Sequence, residues 1–402
     1  MRKSRLWLAK CLLVLIGFAF GLAIAELTVR IIWRPQLIAW QRNLKTEIQI
    51  DPAIIHGVAG PAHINTNSSG VRGDEWSRDR SKEYRILTIG GSTTECLLND
   101  QPNTWPAQLQ TKLGTLNGRK VWVGNAGHGG FNSRHNVLEM RYMLDQYDPD
   151  AVVILIGGND MGLLLAEGAS YDSGFVYNPE KMRNLAVNDF IEKPVAVLKS
   201  TTPPRRPLAR WVHNLYVTMF AKEVLRRYRA APTGLVHNVQ MYKEQRELRR
   251  NPWLVVHEMP ANISQGLEGY ANNLREIIRL AKERRVRLIL MTQPELLQPN
   301  MSQEMIDHIW SGWIGAPDLN IYWSPEVAAA VLSAHNELLL KICREEGVEC
   351  IDLASQVPKS LDVFFDQCHF TDYGCSMVAD LLVEHFHNAP AVEGKRDGLQ
   401  GR

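Results

Sequence analysis

No two cysteines form a Cys-x-x-Cys pair, and only six occur among 402 residues. That scarcity excludes a disulfide-dense scaffold and leaves no pattern for structural zinc. Net charge is nearly absent as well, since 45 Lys and Arg against 43 Asp and Glu leave +2. A chain so balanced gives no overall electrostatic case for nucleic acid as a partner. Internal repeats and low-complexity tracts are missing, which excludes repeat architectures. What is present is ordinary globular composition, 45% hydrophobic and 22% charged, so a disordered chain is excluded too. The length allows two or three domains.

The one long apolar run stands at the N-terminus. Leu6 to Ala25 is apolar except for Lys10, and the pattern continues through Leu27, Val29, Ile31, Ile32 and Trp33. Roughly 20 such residues cross a bilayer core as a helix, and Lys10 near one end can snorkel to the headgroups. Arg2, Lys3 and Arg5 ahead of the run favour an inside N-terminus and export of everything after it. Ala23-Ile24-Ala25 also suits signal-peptide cleavage. Because the apolar run passes that site, residues 1–34 are expected to be a retained single-pass membrane anchor with an extracytoplasmic catalytic domain. A secreted form would follow cleavage after Ala25.

Residues 35–80 are polar and turn-rich, with Asn67-Ser68-Ser69-Gly70 and Arg72-Gly73-Asp74, and are expected to form a leader. Beyond it, strand-like runs at Tyr84–Ile89, Val121–Val123, Ala151–Ile156, Val286–Met291 and Val348–Leu353 alternate with helical spacing. Ser324-Pro325 reads as a cap and first-turn proline for a helix reaching about Arg344. Such alternation implies a parallel sheet covered on both faces, hence one three-layer α/β/α domain over 81–390. A tail, 391–402, is expected to be disordered. Residues 163–263 break the rhythm and read as a helical insertion. Lys and Arg outnumber Asp and Glu threefold between Lys181 and Arg250. Thr202 to Pro207 reads as a hinge and Leu208 to Arg229 as an amphipathic helix, which suits a cap over the site or a surface for anionic lipid.

Ligands of open parallel sheets bind beyond the carboxyl ends of the strands, so the residues there carry the chemistry. After the first core strand comes Gly90-Gly91-Ser92, where small residues can expose a serine hydroxyl at a helix start. Asn125-Ala126-Gly127 follows the second, and Gly127 can aim an N–H at an oxyanion. Gly158-Asn159-Asp160 follows the third, and the Asn159 amide can add another donor. Asp366-Gln367-Cys368-His369 precedes the last helix. Acyl transfer needs a nucleophile, a base, an orienting carboxylate and oxyanion donors, and these four places supply them.

Four such blocks in this order resemble the SGNH, or GDSL-type, hydrolases. The resemblance implies a flavodoxin-like core and a serine esterase with Ser92 as nucleophile, His369 as base and Asp366 as its orienting carboxylate. It implies the Ser92 N–H, Gly127 and Asn159 as oxyanion donors, and neither metal nor organic cofactor. It covers about 84–160 and 265–390. Gly91 stands where the name-giving motif has aspartate, which bears on the bracing of that loop. The membrane helix, the polar leader and Trp105-Pro106 after the first block are similar to membrane-anchored bacterial members. The insertion matches no known pattern.

Competing assignments accompany these. His128, beside Gly127, is a rival base without a nearby carboxylate in sequence, and a candidate substrate contact. Asp160 reads as a loop brace, and Cys96 as a small buried apolar residue. Cys343 with Cys350, and Cys368 with Cys375, are candidate disulfides once exported. Trp310, Trp313 and Trp323 in one loop region can stack on a sugar. The expected substrate is an ester on an envelope glycan or lipid. An O-acyltransferase acting on an envelope polysaccharide shares the same triad. A non-catalytic binding protein on the same fold is the alternative from another class.

Overall fold

The computed structural model describes residues 2–32, 39–77, 79–167, 215–228, 239–315 and 319–388. The chain opens with helix α1 (Arg2–Ile32), then strands β1 (Lys45–Ile48), β2 (Ala62–Asn65) and β3 (Glu83–Gly90). The single turn α2 (Ser92–Glu95), helix α3 (Trp105–Leu113), and strands β4 (Thr115–Leu116) and β5 (Arg119–Asn125) follow. Next come α4 (Ser133–Tyr147), β6 (Ala151–Ile156), α5 (Gly158–Glu167), α6 (Tyr216–Tyr228), α7 (Gln240–Arg250) and β7 (Leu254–Val256). Helix α8 (Ile263–Arg284), β8 (Arg287–Thr292), α9 (Gln303–Asp307) and β9 (Ile321–Trp323) lead to α10 (Pro325–Glu346). Strand β10 (Glu349–Ile351), α11 (Leu353–Gln356) and α12 (Asp372–Asn388) complete it.

The central sheet runs β10-β8-β6-β3-β5-β4, with only β4 antiparallel. In sequence order its five parallel strands lie 2-1-3-4-5, the flavodoxin-like arrangement. Every residue of β3 and β6 is buried, which is why Ala151–Ile156 is a continuous apolar run rather than an alternating one. Helices α3 and α12 pack together over one face, where Trp105, Leu109, Val378 and Leu382 meet Ile86, Val123 and Val153. Helices α4, α8 and α10 pack together as another layer. The Ser324 hydroxyl accepts the Val327 N–H and caps α10, as the Ser-Pro pair implies. Register brings β3, β6 and β8 to a common level, with Gly90 opposite Leu155 and Ile156 opposite Thr292. Their carboxyl ends therefore share one rim, at the point where strand order reverses.

Three expectations change. The described part of the leader is folded into this domain: Trp40, Ile55, Ile64 and Val71 are buried, and β1 pairs with β2. Arg72, read as a turn residue, is also buried and exchanges backbone hydrogen bonds with Asn125. Polar composition misleads here because a two-stranded flap buries only alternate residues. The insertion also differs. Helix α5 runs through Glu167, while α7 and β7 belong to the hydrolase unit, β7 pairing with β9. Residues 168–214 and 229–238, including the Thr202–Pro207 hinge, lie outside the described residues, as do 33–34 and the tail. Of the expected Leu208–Arg229 helix, Tyr216–Tyr228 is described. The third change concerns cysteine. Cys343 and Cys350 are disulfide-bonded, joining α10 to β10, whereas Cys368 is free and Cys375 lies with its sulfur 3.9 Å from that of Cys96.

Helices α1 and α6 form a separate unit. Lys10–Ile32 is long and apolar enough to cross a membrane, and Leu13, Val14, Phe18 and Ile31 stand exposed along α1. Glu26 pairs with Arg30 at 2.8 Å and accepts the Val217 N–H at 3.1 Å. The Arg30 guanidinium lies over the Tyr216 ring.

Candidate active site

Ser92 is the first residue of α2, directly beyond the β3 carboxyl end. Two glycines shape this turn. Gly90 has φ +154°, and a Cβ there would strike Thr94 and the Leu155 carbonyl. At Gly91 a Cβ would fall on Asn159 Nδ2. The missing aspartate at this position thus makes room for Asn159. Since α2 is a single turn, its dipole contributes less than the sequence suggests. Its end is held instead by Arg72, whose guanidinium donates to the carbonyls of Glu95, Cys96, His63 and Asn99 and to Gln101 Oε1.

His369 Nε2 lies 2.8 Å from Ser92 Oγ, and its Nδ1 lies 2.6 Å from Asp366 Oδ2. A carboxylate can only accept, so Nδ1 carries the proton and Nε2 turns its lone pair toward the serine hydroxyl. Asp366 is fully buried. Its Oδ1 accepts the N–H groups of Cys368 and His369, and its Oδ2 accepts the Trp310 indole N–H as well as the imidazole. Burial pushes the Asp366 carboxyl upward, but the His369 charge and the hydrogen bonds from His369 and Cys368 outweigh it and hold it below the usual range. Burial pulls His369 down, and the Asp366 carboxylate, with a smaller share from Glu95, lifts it above the ordinary imidazole value. The Phe365 ring stacks on the imidazole at 5.6 Å.

The expected oxyanion donors differ in their engagement. Asn159 donates through Nδ2 to the Phe131 carbonyl at 2.7 Å, which occupies one of its two N–H groups. Gly127 already donates its N–H to Asn125 Oδ1 at 2.9 Å, and a Cβ there would strike α2 at Glu95 and Thr94. Its role in the fold is close packing behind the nucleophile. Three residues on, Gly130 has φ +77° in the turn closed by the Phe131 N–H to the His128 carbonyl. No acceptor among the described residues takes the Gly130 N–H.

His128 is enclosed at 5% exposure, its ring stacked on Phe131 at 4.6 Å and tilted against Trp40. Burial pulls it down to about 4, so it is neutral near pH 7, and its placement is that of a packing element of the loop. Asp160 accepts the Ser133 N–H at 3.0 Å and its hydroxyl, bracing the start of α4. Trp323 is buried and donates to the Leu165 carbonyl, so it offers no face to a sugar. Sequence reasoning passed over Glu95 and Glu295. Burial raises Glu95 to about 7, opposed by the Gly129 N–H, Arg72 and His369. Burial and the nearby Asp366 raise Glu295 to about 8. Neither carries a motif, since only the closed fold shows them buried.

Residues 88–376 match the sequence profile of the GDSL-like lipase/acylhydrolase family. The chain belongs to that family. It is accordingly a hydrolase acting on ester bonds. Solved structures similar to this GDSL-like chain include the lipase/acylhydrolase from Enterococcus faecalis, with 14% identity, 75% of this chain and 94% of that one covered, and TM-score 0.38. Another is a catalytic mutant of an acetylxylan esterase from Geobacillus stearothermophilus, at 14% identity, 75% and 94% coverage and TM-score 0.39. A third is an α/β hydrolase from the metagenome of Lake Arreo, Spain, at 13% identity, 76% and 95% coverage and TM-score 0.39. No curated protein matches the chain.

Proposed function

We propose that this GDSL-like hydrolase is a serine esterase working through Ser92, His369 and Asp366. The observation that carries the reading is one imidazole bridging the other two side chains, 2.8 Å from the hydroxyl and 2.6 Å from the carboxylate. His369 Nε2 takes the Ser92 proton as Oγ attacks the ester carbonyl carbon. The tetrahedral intermediate then expels the alcohol, which leaves with the proton from Nε2. Water, deprotonated by the same nitrogen, attacks the acyl-enzyme, releasing the acid and restoring Ser92. Asp366 holds the imidazole tautomer and stabilises the imidazolium. The Ser92 N–H and the Asn159 amide stabilise the oxyanion, with Gly130 taking the place expected of Gly127 because the Gly127 N–H is already bonded.

The substrate class is an acyl ester borne by an envelope glycan or lipid, reached by a domain that residues 1–34 hold on the outer side of the membrane. Short acyl esters offered to the chain lacking residues 1–34 provide the test. The parent is expected to turn over, and Ser92→Ala to fall to background; equal rates would overturn the assignment.

A further inference from the structure

We propose that Trp310 is a positioning residue for the acid–base pair, its indole N–H clamping Asp366 Oδ2 and moderating the pull of that oxygen on His369. The inference rests on the esterase reading. Trp310 Nε1 lies 2.9 Å from Oδ2, the same oxygen that accepts the imidazole N–H at 2.6 Å. Oδ1 is already filled by two backbone N–H groups, so the indole completes a set of four donors around a fully buried carboxylate. An indole N–H only donates and does not titrate in the working range, so the clamp persists at every pH at which the enzyme acts.

The placement of Trp310 is built rather than incidental. Its own N–H donates to Gln367 Oε1, and its ring meets Tyr242 edge-on at 5.2 Å and Trp313 at 5.7 Å. Tyr242 comes from α7, the later part of the region read as an insertion. One helical turn on, Arg246 donates to the carbonyls of His308, Ile54 and Phe365. The loop bearing Trp310 and the loop bearing Asp366 are thereby fastened to one helix on both sides of the indole bond.

Two donors on one oxygen share its charge. The imidazolium gains less from Asp366 than it would from an oxygen of its own, so the indole keeps His369 less basic. Other charged or titratable groups face the pair: Glu95 toward His369, Glu295, Tyr242 and Arg246 toward Asp366, and Cys368 toward both, its sulfur 3.6 Å from His369 Nδ1. All five remain when the indole N–H alone is removed, so the change isolates that one donor.

The test measures kcat/KM against pH for the full chain and for Trp310→Phe. His369 must be neutral to accept the Ser92 proton, so activity falls as pH drops through its pKa. Loss of the indole N–H is expected to move this acid limb up by about one pH unit, the scale of one hydrogen bond to a charged group, with KM little changed. The low-field proton resonance of His369 Nδ1–H should shift in parallel. An unmoved limb, with or without a lower kcat, would overturn the proposal. Should Trp310→Phe fail to fold, benzothienylalanine at position 310 keeps the bicyclic shape and removes only the N–H, and the same two outcomes apply. Undiminished activity in Ser92→Ala would sink the esterase reading instead, whatever happens at Trp310.

Discussion

At the scale of single residues, the site tolerates burial of charge only where hydrogen bonds answer it. Asp366 has four donors and stays ionised, whereas Glu295 is buried with an Oε2 that has no hydrogen-bond partner among the described residues. Its folded pKa of about 8 lies above the usual carboxylate value. A raised folded pKa means the folded state holds a proton that the unfolded chain has already released. Stability is therefore lost as pH rises from the unfolded pKa toward about 8, and is level beyond it. Glu295→Gln removes the ionisation, so its melting temperature should exceed that of the parent at pH 9 by more than at pH 5. Thermal unfolding at the two values checks this, and an equal gap at both would refute the assignment.

Among the elements, the β3–α2 turn makes the tightest demand. Gly91 faces Asn159 so closely that any side chain must push the amide aside. Gly91→Ala is expected to lower kcat roughly 10²–10³-fold, the size of losing one oxyanion donor, with a smaller loss of thermal stability. Steady-state kinetics beside a melting curve separate the two, and parent-like kcat would show that Asn159 contributes nothing from this position. The short α2 turn has few bonds of its own, so its end depends on Arg72 from a segment whose polarity suggests a leader. Helix α7 plays a comparable part on the other side, where Arg246 ties the Asp366 loop at the Phe365 carbonyl. Deleting the whole of 163–263 would thus remove a brace of the site along with any cap.

For the whole molecule, the hydrolase unit begins close after α1 and carries its own sheet and core, while α1 is apolar and exposed over Lys10–Ile32. Removing residues 1–34 is expected to move the protein from the membrane fraction to the soluble one while leaving kcat for short esters within about twofold, because no proposed catalytic group precedes Ser92. Fractionation and kinetics on both forms check this; loss of activity in a folded truncation would mean residues 1–34 support the site.

The parallel sheet and the Ser92, Asn159 and Asp366–His369 positions were legible in the sequence alone. A strand buried on both faces is dominated by apolar residues, as Ala151–Ile156 is throughout, and reactive side chains follow such strands at the sheet rim, so both leave local marks. The positions of Trp310, Arg246, Arg72, Glu95 and Glu295 were decided by tertiary structure. Each acts on a partner brought near by chain closure, such as Trp310 on Asp366, 56 residues away. Composition also hid the folding of 39–77 onto the domain, since a flap that buries alternate residues reads as polar. Local pattern determines which surface an element buries, but a hydrogen bond between distant loops exists only once the sheet has set their separation.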